Sequence, residues 1–254
     1  MTDKVLVSQD GGVLVITINR PEVRNAINRA VSQAVADALD RLESSDELRV
    51  GILTGAGGNF SSGMDLRAFL AGEQTDIGGR GLLGLTRHDR SKPLIAAVEG
   101  YALAGGFEVV LACDLVVASA TAMFGLPEVR RGLCATAGGL LRLPRQLPQR
   151  IALELALTGG ILDAARAEHL GLLNRLAAPG EALASARTLA DAIASNAPLA
   201  VAASRCIIVE QRDWTSVDMF DKQAQIAGHI IESEDAREGA RAFLERRPPS
   251  WRNL

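Results

Sequence analysis

Two glutamates stand in stretches of sequence where a charged side chain is unusual. Glu108 lies inside the apolar run 101–120, and Glu128 lies in the segment FGLPEV, directly after a proline. Burial disfavours the charged form of a carboxyl group and raises its pKa, so a buried glutamate is expected to be paired or used in chemistry. A pair of such acids suits general acid–base catalysis. The structural alternative is a core hydrogen bond, or a salt bridge with Arg130 or Arg131.

Two glycine-rich loops could receive an anion or a polarised carbonyl through their backbone. GAGGNFSSGMDL (55–66) precedes a helix that we expect to begin near Asp65, and GYALAGGFEVV (100–110) leads into a helix at Gly105 and Gly106. The N–H groups at the start of a helix are unpaired, and the helix dipole favours negative charge there. The loops lack the GxGxxG, GK[ST] and GxSxG patterns, which argues against a dinucleotide cradle, a P-loop and a serine hydrolase. A tight connection without a ligand remains the alternative for each loop.

The hydrophobic pattern predicts a mixed α/β fold. Apolar alternation around an Asp-Gly-Gly turn predicts a hairpin, and the order strand, helix, strand that follows predicts a crossover unit. The stretch 71–84, rich in glycine and polar residues, is predicted to be a mobile loop. The expected strands span about 5–9, 13–19, 49–54, 94–100 and 114–119, with another near Met123. The expected helices begin near 28 and 65 or span about 105–112, 137–147, 150–157, 180–195, 198–211, 215–231 and 234–246.

Composition limits the classes of function. The 254 residues carry 27 Lys and Arg against 30 Asp and Glu, a net charge of −3, which gives no support for a nucleic-acid or acidic-membrane partner. The apolar run 101–120 contains two acids, so we expect it to be buried core and not a membrane span. Cys113, Cys134 and Cys206 are odd in number and lack CxxC spacing, which predicts a reduced, cytoplasmic protein with buried thiols. The first residues lack the pattern of a secretory signal.

Five segments, in order and with matching spacing, resemble the crotonase (enoyl-CoA hydratase/isomerase) superfamily. They are NRPEVRNAI (19–27), GNFSSGMDL (58–66), AAVEGYALAGGFEVVLACDLVVAS (96–119), FGLPEVRRGL (124–133) and EGARAFLERRPP (238–249). The resemblance covers nearly the whole chain. It implies an α/β (α+β) fold with a crotonase-type spiral of repeated β-β-α units in residues 1–195 and a C-terminal helical oligomerisation region in residues 196–254. Because this fold hosts several reactions, the resemblance does not by itself fix one.

The resemblance also implies roles for single residues. In the family, two backbone N–H groups hold the thioester carbonyl of an acyl-CoA, and the matching positions are Met64 and Gly105. Two glutamates hold one water in the hydratases, and those positions match Glu108 and Glu128. We therefore expect an enoyl-CoA hydratase that adds water across the 2,3 double bond of a trans-2-enoyl-CoA, with no metal and no cofactor beyond the substrate's coenzyme A. Thr136 departs from the family, which often has glycine in this turn near the water.

For the CoA part of the substrate, the resemblance points to a turn, a loop and the C-terminal helix. The turn and the loop are expected near the adenine and pantetheine, and the helix supplies a basic residue near the phosphates. The expected contacts are Arg24, Ala26, Asp65, Leu66, Arg67 and Arg246. Arg24 and Arg67 could equally be solvated surface charges. The stretch 72–81 shapes the acyl pocket in the family.

Two other functions remain open at this point. A Δ3,Δ2-enoyl-CoA isomerase would shuttle a proton with one acid and would need no water. An acyl-CoA-binding protein without turnover would use the two N–H groups as a carbonyl clamp. His88, His169 and His229 lie outside the matched motifs, which disfavours a histidine-dependent thioester hydrolase or dehalogenase.

The resemblance further implies a homotrimer or hexamer that assembles through the C-terminal helices. An apolar face at helical spacing fits such a contact, and it would also fit packing onto the protein's own core. This face consists of Phe220, Ala224, Ala227 and Ile231.

Overall fold

A computed structural model describes residues 3–254, and within them nine strands and ten α-helices form a mixed α/β fold. The strands are β1 (Val5–Asp10), β2 (Val13–Ile18), β3 (Val50–Gly55), β4 (Leu94–Val98), β5 (Tyr101–Leu103), β6 (Leu115–Ser119), β7 (Met123–Gly125), β8 (Ile161–Asp163) and β9 (Arg175–Ala177). The helices are α1 (Arg29–Ser44), α2 (Leu66–Leu70), α3 (Gly105–Ala112), α4 (Gly139–Gln146), α5 (Gln149–Thr158), α6 (Ala164–His169), α7 (Ala182–Ala194), α8 (Pro198–Glu210), α9 (Met219–Ala227) and α10 (Glu234–Glu245).

A six-stranded sheet in the order β1-β2-β3-β4-β6-β9 forms the centre of the fold. β1 and β2 are antiparallel and form the predicted hairpin, whereas the other neighbours are parallel. α1 joins β2 to β3, which confirms the predicted crossover between parallel strands. A second sheet has the order β5-β7-β8. The chain passes from the large sheet to the small sheet and then to a helix in two successive units, β4-β5-α3 and β6-β7-α4, as expected for a spiral of β-β-α units.

The inner strands β2, β3, β4 and β6 are buried on both faces, which explains why they are nearly continuous apolar runs. On one face, the apolar stripe of α1 is buried, and the helix begins where the Asn28 side chain accepts a hydrogen bond from Val31 N. On the other face, side chains such as Val15 and Ile52 pack against Ala186 of α7. The rigid sheet therefore fixes the loops at its ends.

Four short elements were not predicted from the sequence: β5, β8, β9 and α6. The three strands have three residues each and the helix has six, which is too short to show a hydrophobic period. The helix expected over 215–231 is shorter, because a 3₁₀ turn at Gly228–Glu232 follows α9. The stretch 71–84 contains no regular element beyond an isolated bridge between Asp76 and Leu82.

The cysteines only partly match the expectation of buried thiols. All three are free; Cys113 is buried, Cys206 is half-buried and Cys134 is exposed. Burial raises the pKa of the Cys113 thiol to about 12, which keeps it neutral. The expectation is wrong for Cys134, because this residue lies in the loop between Gly132 and α4, which faces a cavity.

The C-terminal helices leave large apolar side chains uncovered. Phe220 is 69% exposed and Ile231 is 80% exposed, so these two residues of the apolar face do not pack onto the protein's own core. Within residues 3–254 no single helix is long and apolar enough to cross a membrane, and only the pair Ala182–Ala194 and Pro198–Asp213, bent by 109°, reaches that length and hydropathy together.

Candidate active site

A cavity of about 820 Å³ lies between the two glycine-rich loops, α2, α3 and the 3₁₀ turn Pro127–Arg131. We call it the central cavity. Of the predicted site residues, those that line it are Arg24, Ala26, Met64, Asp65, Leu66, Arg67, Gly105, Glu108, Glu128 and Thr136. Arg246 does not line it; this residue is exposed at the end of α10, so its expected contact with the CoA phosphates has no support within one chain.

Met64 presents a free backbone N–H because of how its neighbours pair. Ile27 N donates to Gly63 O and Asp65 N donates to Ile27 O, both at 2.8 Å, which forms a parallel bridge between Ile27 and Met64. Successive N–H groups of an extended chain point to opposite sides, so the Met64 N–H points away from Ile27. It donates to no acceptor among the described residues.

Gly105 supplies a second free N–H at the start of α3. Ala104, just before it, has φ 51° and ψ −129°, a conformation that L residues rarely adopt, and its own N donates to Gly125 O at 2.9 Å. The first N–H of a helix has no partner within that helix, and the Gly105 N–H has none elsewhere in the described chain. The positive end of the α3 dipole adds to its attraction for negative charge.

The two N–H groups lie close together because the loops that carry them pack without a side chain between them. A Cβ added to Gly63 would lie 2.8 Å from Ala104 Cβ and 2.9 Å from Gly105 N. A parallel bridge between Ser61 and Ala102 joins the first loop to β5, which leads directly into this turn. Two convergent N–H donors of this kind can stabilise an oxyanion.

Glu108 lies one turn into α3 and is only 3% exposed. Burial raises the pKa of its carboxyl group to about 7, and the charge of Glu128 adds to this rise. Gly139 N donates to Glu108 Oε1 at 2.9 Å, which favours the ionised form and acts in the opposite direction. A Cβ on Gly139 would lie 2.8 Å from Glu108 Cγ, so this contact requires glycine.

Glu128 is half-buried in the 3₁₀ turn, and burial raises the pKa of its carboxyl group. Its Oε2 atom is buried and accepts no hydrogen bond from any described residue. Arg130 donates instead to Thr158 O, and the salt bridge with Arg130 or Arg131 considered from the sequence does not form in the described chain. The charge of Glu128 contributes to the raised pKa of Glu108, so the two carboxyl groups interact electrostatically.

The carboxylate of Asp65 is occupied by contacts within the protein. Oδ1 accepts Arg67 N at 3.1 Å at the N-cap of α2, and Oδ2 accepts Arg20 Nη1 at 3.0 Å. Burial raises the pKa of Asp65, but the hydrogen bonds from Arg20 and the helix N–H groups outweigh it and leave this pKa below its ordinary value. Asp65 therefore holds the loop and the start of α2 as an ionised side chain.

Arg24 lines the central cavity from a turn that the side chain of Asn25 holds in place. Arg24 and Asn25 both have left-handed backbone angles, with φ 51° and 56°. The buried Asn25 amide donates to Ala56 O and Asn59 O at 2.8 and 2.7 Å, which fixes this turn against the first glycine-rich loop. The Arg24 guanidinium lies 5.6 Å from the centre of the Tyr101 ring.

Sequence reasoning missed two residues that shape the site, Gly139 and Ala104. Gly139 contacts Glu108 across 31 residues of chain, so no local pattern could pair them. The Gly-Gly pair at the start of α4 is the available signal for a close backbone approach. Ala104 carries the strained turn although glycine would be the ordinary choice, and nothing in its residue type indicates this.

Comparisons with known proteins agree with the geometry. The family described as enoyl-CoA hydratase/isomerase matches residues 8–253. An enoyl-CoA hydratase of Mycobacterium tuberculosis, EchA19, is 40% identical over 255 residues, which cover 98% of this chain and 96% of that protein. A carnitinyl-CoA dehydratase of Salmonella arizonae is 40% identical over 99% of both chains. The crystal structure of enoyl-CoA hydratase EchA1 from Mycobacterium marinum matches with a TM-score of 0.98 and 56% identity over 100% of both chains. The chain therefore belongs to the enoyl-CoA hydratase/isomerase family and is a hydratase-type enzyme of the crotonase superfamily.

Proposed function

We propose that this protein adds water across the 2,3 double bond of a trans-2-enoyl-CoA thioester. The observation that carries the proposal is the convergence of the buried Glu108, the half-buried Glu128 and two free N–H groups on one cavity. Relatives at 40% identity are named as a hydratase and a dehydratase, words for the addition and removal of water. A hydratase needs both the acids and the N–H groups. The acids hold the water, and the N–H groups stabilise the negative charge that develops on the thioester.

In the proposed mechanism, the N–H groups of Met64 and Gly105 donate to the thioester carbonyl oxygen. Their hydrogen bonds polarise the conjugated double bond and stabilise the enolate that forms when oxygen attacks the β carbon. Removal of one such donor typically lowers kcat by about 10² to 10³. Both donors belong to the main chain, so a methionine at position 64 is compatible with this role.

The two acids then handle the protons of one water molecule. The carboxylate of Glu108 takes a proton from the water, the water oxygen bonds to the β carbon, and the π electrons move to the thioester as an enolate. Glu128 gives its proton to the α carbon. The unpaired Oε2 of Glu128 and the Gly139 N–H on Glu108 support this division, because the N–H favours the ionised form of Glu108. The net change is the addition of water, and the one proton of the pair now lies on Glu108, from which it must return to Glu128 before the next turnover.

The basic residues of the central cavity suit the anionic CoA part of the substrate. Arg24, Arg67, Arg87 and Arg131 all line the cavity and carry fixed positive charge. We propose that Arg24, Ala26, Leu66, Arg67 and the backbone of Asp65 contact the CoA. Thr75 and Asp76 of the glycine-rich stretch line the same cavity, which supports a part for this stretch in shaping the acyl pocket.

We also propose that three copies of the chain assemble through the C-terminal helices, with a pair of trimers as the larger form. The exposure of Phe220 and Ile231 supports this, since exposed apolar patches mark interaction surfaces. A second copy would remove these side chains from water.

The first test is the absorbance of the conjugated enoyl-thioester with the purified protein. We expect crotonyl-CoA to lose this absorbance as water adds to the double bond. If crotonyl-CoA is unchanged while a 3-enoyl-CoA gains the absorbance, the protein is an isomerase and the hydratase proposal is wrong. Tight acyl-CoA binding with neither change would indicate a binding role.

A further inference from the structure

Arg142 lies in the first turn of α4 and is half-buried, yet the proposed hydration assigns it no role. It is not among the residues that line the central cavity. Burial, and next the charge of Arg90, lower the pKa of its guanidinium, whereas the charge of Glu108 acts in the opposite direction. Burial of a charge near a like charge is unfavourable, so the contacts that Arg142 makes must offset this cost. These contacts reach two separate parts of the site.

The first contact holds the segment 82–86. Arg142 Nη2 donates to Thr86 O at 2.6 Å, across 56 residues of chain. The Thr86 hydroxyl in turn accepts Leu82 N at 3.0 Å, which closes the segment into a turn. A Cβ added to Gly105 would lie 2.8 Å from Leu82 Cδ2, so the Leu82 side chain packs against the backbone that carries one of the two free N–H groups. Arg142 therefore supports the wall of the central cavity beside the start of α3.

The second contact is with the turn that leads into α4. Gly138 has φ 101°, and a Cβ at this position would collide with Arg142 Nη1, so the guanidinium lies directly against the turn. Arg142 N also donates to Gly138 O at 2.9 Å. The next residue, Gly139, donates its N–H to Glu108 Oε1 at 2.9 Å. Arg142 thus supports the short stretch of backbone that holds the Glu108 carboxyl group.

The charge of Arg142 also acts on Glu108. Burial raises the pKa of Glu108 most; the Gly139 N–H lowers it, and the charge of Glu128 raises it. The Ala137 N–H and the charge of Arg142 lower it further. Arg142 supplies the positive charge in this set of groups. An opposite charge favours the ionised form of a carboxyl group, which is the form that a general base needs.

We propose that Arg142 is a positioning residue for the hydration reaction, because its guanidinium joins the segment 82–86 to the turn 138–139. Through these contacts it fixes the direction of the Glu108 carboxyl group and keeps Leu82 packed against the start of α3. Arg142 acts through these groups from outside the central cavity. This inference rests on the proposed function, because it takes Glu108 as the base that activates the water.

The test measures the hydration of crotonyl-CoA by Arg142→Gln and Arg142→Lys over a range of pH. Glutamine removes the charge and both contacts, whereas lysine keeps the charge but lacks the planar fork that reaches Thr86 and the turn at Gly138 together. We expect kcat at the best pH to fall by about 10-fold to 10²-fold in both variants, with KM within about threefold, because a misplaced catalytic group slows the reaction without weakening the hold on CoA.

The pH profile separates positioning from general destabilisation. For the unchanged protein, kcat/KM should rise with pH as Glu108 ionises. Loss of the positive charge in Arg142→Gln raises the pKa of Glu108, so this rise should move to higher pH. In Arg142→Lys the rise should stay where it is in the unchanged protein. A profile that does not move in Arg142→Gln would overturn the proposal. A kcat of Arg142→Lys near that of the unchanged protein would also overturn it, whether or not Arg142→Gln folds.

Arg145→Gln is the matched control. Arg145 lies in the same helix, is exposed, pairs with Asp213 at 3.5 Å and does not line the central cavity. Exposed ion pairs contribute little, so we expect kcat within about twofold of the unchanged protein and the same pH profile. If the unchanged protein does not hydrate crotonyl-CoA, the proposed function fails and this inference fails with it. If the unchanged protein is active and Arg142→Gln is equally active, only the role of Arg142 is overturned.

Discussion

Glu108 combines a titratable side chain with a position from which water is almost excluded. The sequence predicts this burial, because the surrounding run is apolar on every side. The sequence does not predict that the Gly139 N–H donates to Glu108 and lowers its pKa, because that contact depends on how α3 and α4 meet in the fold. Residue types therefore identified the acids, while the tertiary fold sets their chemistry.

The buried carboxyl group should make stability depend on pH. A carboxyl group whose pKa is raised on folding, here from 4.5 to about 7, stabilises the fold below its unfolded pKa and loses this contribution as pH rises through the folded pKa. Glu108→Gln stays neutral, so we expect its free energy of unfolding, relative to that of the unchanged protein, to be higher at pH 8 than at pH 4.5 by up to about 3 kcal/mol. Thermal melts at both pH values measure this; an equal effect at both would contradict it.

Gly139 should be required for catalysis although it carries no chemistry of its own. The Cβ of Gly139→Ala would collide with Glu108, and displacement of a catalytic group by about 1 Å can cost about 10²-fold in rate. We expect kcat with crotonyl-CoA to fall by about that factor with little change in the binding of acyl-CoA. Gly228→Ala, where a Cβ would meet nothing within 4 Å, is the control and should keep its rate.

The elements position the site through two parallel bridges that no hydrophobic pattern reveals. One joins Ile27 to Met64 and the other joins Ser61 to Ala102, so the first glycine-rich loop lies between the start of α1 and β5. The long elements follow from periodicity, and their predicted bounds agree with the structure to within a few residues. β5 could not be predicted from periodicity, because three residues cannot show alternation, yet this strand fixes where α3 begins.

The N-cap of α2 should affect substrate binding more than turnover. Asp65→Ala removes the cap and the ion pair with Arg20, so the loop proposed to contact CoA loses its support. We expect KM for crotonyl-CoA to rise several-fold with kcat nearly unchanged. Asp163→Ala is the matched control, since Asp163 caps α6 with a hydrogen bond of 2.8 Å from Arg166 N and does not line the central cavity.

Loss of an N-cap costs about 0.5 to 2 kcal/mol, so both variants should lower Tm. Only Asp65→Ala should change KM. An equal rise of KM in Asp163→Ala would show that the effect comes from general destabilisation.

At the scale of the whole molecule, the sheet core buries its apolar side chains within one chain, whereas the C-terminal helices leave large apolar side chains exposed. The inner strands of the large sheet are covered on both faces, whereas the C-terminal helices expose Phe220, Ile231 and Phe243. From the sequence, the apolar face of these helices fitted either its own core or another copy. Only the folded structure excludes packing onto the protein's own core, because the burial of a side chain depends on which other parts of the protein cover it.

The proposed assembly predicts a mass near three or six times 26.8 kDa in sedimentation velocity. Phe220→Asp together with Ile231→Lys should shift the protein toward single chains, because charges would replace apolar contacts. Leu157→Lys alters a side chain that is 72% exposed on α5 and should leave the mass unchanged. A single-chain mass for the unchanged protein would contradict the assembly.

The most direct measurement is the rate at which Glu128→Gln hydrates crotonyl-CoA, followed by loss of the enoyl-thioester absorbance. Glutamine keeps the size of the side chain but cannot give its proton to the α carbon. We expect kcat to fall by about 10² to 10⁴, the usual contribution of general acid–base catalysis, while acyl-CoA still binds. Turnover near that of the unchanged protein would contradict the role proposed for the two acids.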